Sequence, residues 1–94
     1  MIGGSGNGEQ IAANKVKGVR SALAWSLETA TLARQHNDAN VIAVGARMHT
    51  ADEATSFVDA YLAEPFSGNA RHARRIEQLR DYEQTGILPP LPKS

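Results

Sequence analysis

The residues with the clearest capacity for chemistry stand in the run Gly3-Gly4-Ser5-Gly6-Asn7-Gly8-Glu9, which opens onto Gln10-Ile11-Ala12-Ala13-Asn14-Lys15. A glycine-rich turn at a strand's carboxyl end, leading into a helix, is where open α/β sheets take anionic ligands. Glycines let backbone N–H groups point inward, and the unpaired N–H groups of a first helical turn add to them. Two nucleotide motifs can be tested directly. Gly3 to Gly8 has the spacing of a Walker phosphate loop, but Glu9-Gln10 stands where Lys and Ser or Thr are needed. The dinucleotide fingerprint fails as well, because Gly4-Ser5-Gly6 is followed three residues later by Glu9. What remains is an anion cradle with a carboxylate beside it. That pairing suits aldose–ketose isomerisation, in which a base removes a proton alpha to a carbonyl while N–H donors hold the developing enediolate. Acidic residues are also common in first helical turns, where they satisfy the macrodipole. Residue type alone favours this plainer role for Glu9.

Other polar residues admit two readings each. His36 at a helix end is a C-terminal cap or a catalyst. Arg71 and Arg75 are i, i+4 neighbours, either a solvated face or a bidentate grip on phosphate. Arg74 lies off that line and is expected in solvent. His49 and His72 have no ligand-like spacing with His36, so no metal site and no cofactor are expected. Trp25 reads as core or interface packing.

These residues need elements to position them. A short helix is predicted from about Asn7 to Lys15, ended by Gly18. Val19 to Trp25 reads as a strand, and Ser26 as the N-cap of a helix reaching about His36. After the turn Asn37-Asp38-Ala39-Asn40, Val41 to Val44 is a buried strand ending at Gly45. Thr50-Ala51-Asp52-Glu53 fits a capping box. The helix it opens carries a core stripe at Ala54, Phe57, Val58, Tyr61 and Leu62. Ser67-Gly68-Asn69 makes a loop and cap, and a last helix from about Ala70 to Gln84 has Ala73, Ile76, Leu79 and Tyr82 on one side. Ile87 to Ser94 holds three prolines and reads as a loose tail after a domain over 1–86. Helices alternating with strands predict an α/β fold with a parallel sheet, right-handed crossovers and helices on both faces. Only two full strands are present, and the glycines follow almost directly on Met1-Ile2. The chain is therefore expected to lack the N-terminal strands of its fold.

Composition sets outer limits. The 94 residues allow one domain at most, with a core small enough to leave its stability marginal. Ten basic residues balance ten acidic ones, so no global field draws in nucleic acid or an anionic membrane. Glu77 and Asp81 interrupt the basic run from Arg71 to Arg80, which argues against nucleic acid there too. Without cysteine, disulfides and thiolate chemistry are excluded. No apolar run approaches the ~20 residues of a membrane span, and no secretory leader is visible, so a cytoplasmic protein is expected.

The run from Gly3 to Lys15 resembles the active-site loop of type B ribose-5-phosphate isomerases, especially their actinobacterial branch. Further matches follow in order at Arg34-Gln35-His36-Asn37-Asp38, Gly45-Ala46-Arg47 and Arg71-His72-Ala73-Arg74-Arg75-Ile76. The resemblance covers nearly all of the chain up to the tail. It implies a Rossmann-like three-layer α/β/α fold, of which this chain is the C-terminal portion, and interconversion of ribose 5-phosphate and ribulose 5-phosphate in the pentose phosphate pathway. By that resemblance Glu9 is the proton-abstracting base. Other branches use a cysteine where this chain has Gly3. Ser5 contacts substrate or assists proton transfer, and the N–H groups of Gly4, Ser5, Gly6, Asn7 and Gly8 form the anion hole. His36 opens the furanose ring, Asn37 holds a substrate oxygen, and Arg47, Arg71 and Arg75 bind the phosphate or line its pocket. Family enzymes are dimers or dimers of dimers with shared pockets, so a homodimer or homotetramer is implied, His36 and Asn37 serving a neighbour's loop. A chain lacking the N-terminal portion is expected to be weak or inactive alone. The alternatives are isomerisation of allose or galactose 6-phosphate, and a non-catalytic remnant that binds anions or associates.

Overall fold

The computed structural model describes residues 1–88. Most of the expected tail therefore lies outside the described residues. In chain order the elements are β1 (Ile2–Gly3), α1 (Asn7–Ala13), β2 (Ser21–Leu23), α2 (Leu27–Asn37), β3 (Val41–Gly45), α3 (Ala51–Ala63) and α4 (Ala70–Thr85). The three strands are parallel in the order β1-β3-β2, with Gly3 opposite Gly45 and Leu23 opposite Ala43. Moving from β1 out to β2 and back to β3 reverses the direction of travel, and right-handed crossovers then place successive helices on opposite faces. Accordingly α1 packs on the sheet by itself, while α2 and α3 pack against each other as well as on it. This is the three-layer α/β/α arrangement expected. The chain begins its sheet with the two-residue β1, and β3 takes the centre.

Central position explains the composition of β3. Ile42, Ala43, Val44 and Gly45 are all buried, as a strand covered on both faces requires. The core around them is small in volume: Ala24, Ala30, Ala33 and Ala39 join Ile42, Val44, Phe57 and Tyr61. Alanines on α2 let that helix approach the sheet closely. Tyr61 can be buried because its hydroxyl has a partner, donating to the Ala39 carbonyl at 2.7 Å.

The strand expected over Val19 to Trp25 pairs only at 21–23, and its flanks are drawn away by side chains. The Arg20 N–H donates to Asn40 Oδ1 at 2.7 Å, and the Trp25 N–H to Thr29 Oγ1 at 3.1 Å. Helix α1 stops at Ala13 because Asn14 turns toward β2. Its side-chain amide donates to the Ser21 carbonyl at 2.9 Å and accepts from the Ser21 N–H at 2.8 Å. Asn14 thus satisfies the outer edge of β2 as another strand would.

Caps follow the sequence closely. Ser26 caps α2 and pairs with Thr29, Thr50 and Glu53 form the expected box on α3, and Asn69 caps α4. The helix faces depart from expectation in three places. Trp25 is 61% exposed and so stands outside the core of this chain. Leu62, at the margin of the α3 stripe, is 72% exposed. Phe57 and Tyr61 face α2, and Leu62 lies one residue further round the helix, turned away from that contact. On α4 the buried residues are His72 and Ile76; Ala73 is exposed, Leu79 is 59% exposed and Tyr82 is also exposed. That helix meets the body chiefly along α2; its later turns are tied to segment 14–22 by the Gly18 N–H, which donates to Glu83 Oε1 at 2.8 Å, and leave a cleft beside Leu79 and Tyr82.

Candidate active site

The glycine loop crosses the carboxyl edge of the sheet. Gly6 has φ +84°, and a Cβ there would come within 2.7 Å of Leu23 Cδ1 and 3.1 Å of the Gly45 nitrogen. A Cβ on Gly45 would sit 2.6 Å from the Ser5 carbonyl oxygen. The two backbones therefore touch, and only glycine fits at both positions. The turn after β3 completes the seat, with the Ala46 N–H donating to the Gly3 carbonyl and the Arg47 N–H to the Gly4 carbonyl at 2.9 Å.

Holding the loop by its carbonyls leaves the opposite groups available. Among the described residues, the N–H groups of Gly4, Ser5 and Gly6 donate to no protein acceptor. The Asn7 N–H differs, donating to Ser5 Oγ at 3.2 Å. The Glu9 carboxylate lies directly against Gly3, where any Cβ would overlap it. The Arg47 guanidinium lies over Gly4, within 3.4–3.5 Å of where a Cβ would be. One end of the molecule thus gathers Glu9, Ser5, Gly4, Gly6, Gly8 and Arg47.

His36, Asn37, Arg71 and Arg75 form a second group. Helix α2 leaves the carboxyl end of β2 and returns the chain to the amino end of β3. Its last turn, with His36 and Asn37, therefore lies at the opposite edge of the sheet from the glycine loop. Segment 64–67 is laced to that turn: Gln35 Nε2 donates to Glu64 Oε1 at 2.6 Å, and the Ser67 N–H to the Gln35 carbonyl at 3.1 Å. This lacing places the start of α4 beside His36. The His36 and His72 rings stack, with centroids 4.2 Å apart and planes inclined by 34°. Burial, and then the positive charges of His36, Arg71 and Arg75, push the His72 imidazole below its ordinary value of 6.5.

His72 is the residue that sequence reasoning set aside. The signal was present in its i, i+4 relation to Ile76, which marks the buried side of α4. Arg74 is exposed, as expected. Two clefts lie largely apart from these groups. The larger, about 640 Å³, runs between segment 14–22 and Ile76, Leu79 and Tyr82 of α4, and touches the candidate residues only at Asn37. The other, about 380 Å³, lies along β1 and α3, lined by Ile2, Val44, Ala54 and Val58. No helix among the described residues is long and apolar enough to cross a membrane.

Comparison with known proteins decides the lineage. The profile of the ribose/galactose isomerase family matches residues 1–79. The chain belongs to this family. It is 60% identical over 92 residues to ribose-5-phosphate isomerase B of Mycolicibacterium paratuberculosis, a match covering 98% of this chain and 58% of that protein. Among solved structures, type B ribose 5-phosphate isomerase of Trypanosoma cruzi superposes with a TM-score of 0.88 at 46% identity, over 92% of this chain and 56% of that one. The Mycoplasma genitalium enzyme, solved with bound ribulose-5-phosphate, gives a TM-score of 0.86 at 48% identity, over 89% of this chain and 55% of that one. This member of the ribose/galactose isomerase family thus spans a little over half the length of the relatives it matches, with their Rossmann-like fold.

Proposed function

We propose that the protein carrying this chain interconverts ribose 5-phosphate and ribulose 5-phosphate in the cytoplasm, with residues 1–86 forming the C-terminal portion of its catalytic domain. The observation that carries this reading is the Glu9 carboxylate against Gly3, beside loop N–H groups that no protein acceptor takes. His36 would donate a proton to the ring oxygen as the bond from C1 to the ring oxygen breaks, the C1 hydroxyl giving up its proton to solvent, which leaves the open aldehyde. Glu9 would then take the C2 proton. The electron pair passes into the C1–C2 bond, and the carbonyl oxygen becomes an enediolate oxygen facing the N–H groups of the loop. Glu9 then returns its proton to C1 while the C2 hydroxyl proton passes to the C1 oxygen, which yields the ketose. Ser5 assists these transfers, and Asn37 holds a substrate oxygen.

The two groups lie at opposite edges of one sheet, so one chain does not close the pocket. We infer a homodimer, or a homotetramer built from dimers, in which the glycine loop, Glu9 and Arg47 of one copy face His36, Asn37, Arg71 and Arg75 of another. The arginines would take the phosphate from both sides. The family's breadth keeps hexose 6-phosphates such as allose or galactose 6-phosphate as the second reading, to be separated by a substrate panel. The test of the first is a coupled isomerase assay. Glu9→Gln should lower kcat by about 10²–10⁴, the usual contribution of a positioned base. Unchanged turnover would remove Glu9 from the mechanism, and tight phosphate binding without turnover would favour a non-catalytic anion binder.

A further inference from the structure

His36 lies exposed in the last turn of α2, where a side chain in solvent samples several rotamers on a fast timescale. A proton donor so placed needs something to fix its direction. His72 is 7% exposed and presents its ring to that of His36 at 4.2 Å. Its own plane is held at both nitrogens. Nδ1 lies 3.1 Å from Ser67 Oγ, and Nε2 lies 3.5 Å from Arg71 Nη2. A guanidinium only donates, so Nε2 is the acceptor, and the ring proton sits on Nδ1 directed at Ser67.

We propose that His72 is the positioning residue for His36: a neutral imidazole, clamped by Ser67 and Arg71, whose face sets the plane in which His36 presents its proton. Charge supports the division of labour. The groups facing His72 are His36 and the Gln35 carbonyl from α2, and Arg71 and Arg75 from α4, together with the uncharged Ser67 hydroxyl. The ionisable ones are all cationic and, with burial, outweigh the Gln35 carbonyl that favours a proton on His72; a second ring proton would also displace the Arg71 contact. Of the two stacked imidazoles, His36 is the exposed one and His72 the buried one, so only His36 can reach a substrate. What His36 does with that proton rests on the isomerase reading above; the stack does not.

The experiment combines NMR of histidine-labelled protein with kinetics. The His36 ring protons should resonate upfield in the wild type and move downfield in His72→Leu; in His72→Phe, which keeps a flat ring but loses both clamp contacts, they should stay upfield and broaden. In the same variants kcat should fall about tenfold to 10²-fold for His72→Leu with KM nearly unchanged, and recover only in part in His72→Phe. Should His72→Leu fail to fold, exposed Ser67 offers the second route. Ser67→Ala frees one end of the clamp and should broaden or shift the His36 resonances. Unmoved His36 resonances in either variant overturn the proposal, as does wild-type kcat in a folded His72→Leu protein. Resonances that behave as expected in a protein with no isomerase turnover uphold the positioning and refute the isomerase assignment instead.

Discussion

The Glu9 carboxylate rests where a side chain on Gly3 would have to go, and that exclusion ties the proposed base to the first glycine of the loop. Gly3→Ala should therefore push Glu9 aside while keeping the seat of the loop, which rests on the Gly6–Gly45 contact and on the carbonyls of Gly3 and Gly4. The expected result is a fall in kcat of about 10–10² with the thermal midpoint little changed, read from kinetics and a melting curve on one preparation. His72 gives a second prediction at this scale. Its folded-state affinity for a proton is lowered, so below about pH 6.5 the unfolded chain binds the proton more readily. The stability linked to His72 is present in full above that pH and is lost as pH falls through the lowered folded value. Urea midpoints should drop on acidification, and part of that drop should vanish in His72→Gln, which does not titrate. An identical pH profile in the variant would show that His72 is not the group responsible.

Among the elements, the outer edge of β2 shows how one side chain can stand in for a missing neighbour. Asn14 meets both the N–H and the carbonyl of Ser21, which ends α1 early and closes a strand edge that would otherwise be unpaired at that residue. Asn14→Ala removes both bonds and leaves those backbone groups partly buried. It should cost about 1–3 kcal/mol by denaturant titration. An exposed first-turn change such as Glu28→Gln should cost little. Helix α4 shows the converse case. Its apolar side is readable in the sequence, yet Leu79 and Tyr82 face the larger cleft and stay exposed, because α4 is held mainly by the lacing of segment 64–67 to the end of α2.

At the scale of the molecule, the decisive feature is that a parallel sheet has two unlike edges. Strands deliver the glycine loop and Arg47 to the carboxyl edge, and helix α2 carries His36 and Asn37 back to the amino edge. If two copies complete each other's pockets, Glu9→Gln and His36→Ala should both be nearly inactive as pure proteins. Refolded together they should regain turnover, because every mixed pair retains one pocket with both residues intact. A mixture no more active than its components would mean that each copy works with its own residues alone.

Much of this protein was legible from residues within a few positions of one another. The loop between β1 and α1, the caps at Ser26, Thr50 and Asn69, and the buried strand at 41–44 all depend on hydrogen bonds and periodicities confined to a few neighbours. Local rules place such features whatever the rest of the chain does. The resemblance in four ordered motifs added the family, since spacing along a chain is also a property of sequence alone. What required the folded molecule was every meeting between distant segments. The overlap of Glu9 with Gly3, the contact of Gly6 with Gly45, the exposure of Trp25 and Leu62, and the stacking of His72 on His36 are outcomes of packing. Packing also separated the candidate residues into two groups. The physical reason is that burial and juxtaposition belong to the topology of the sheet and its crossovers, which fixes the edge at which each side chain arrives.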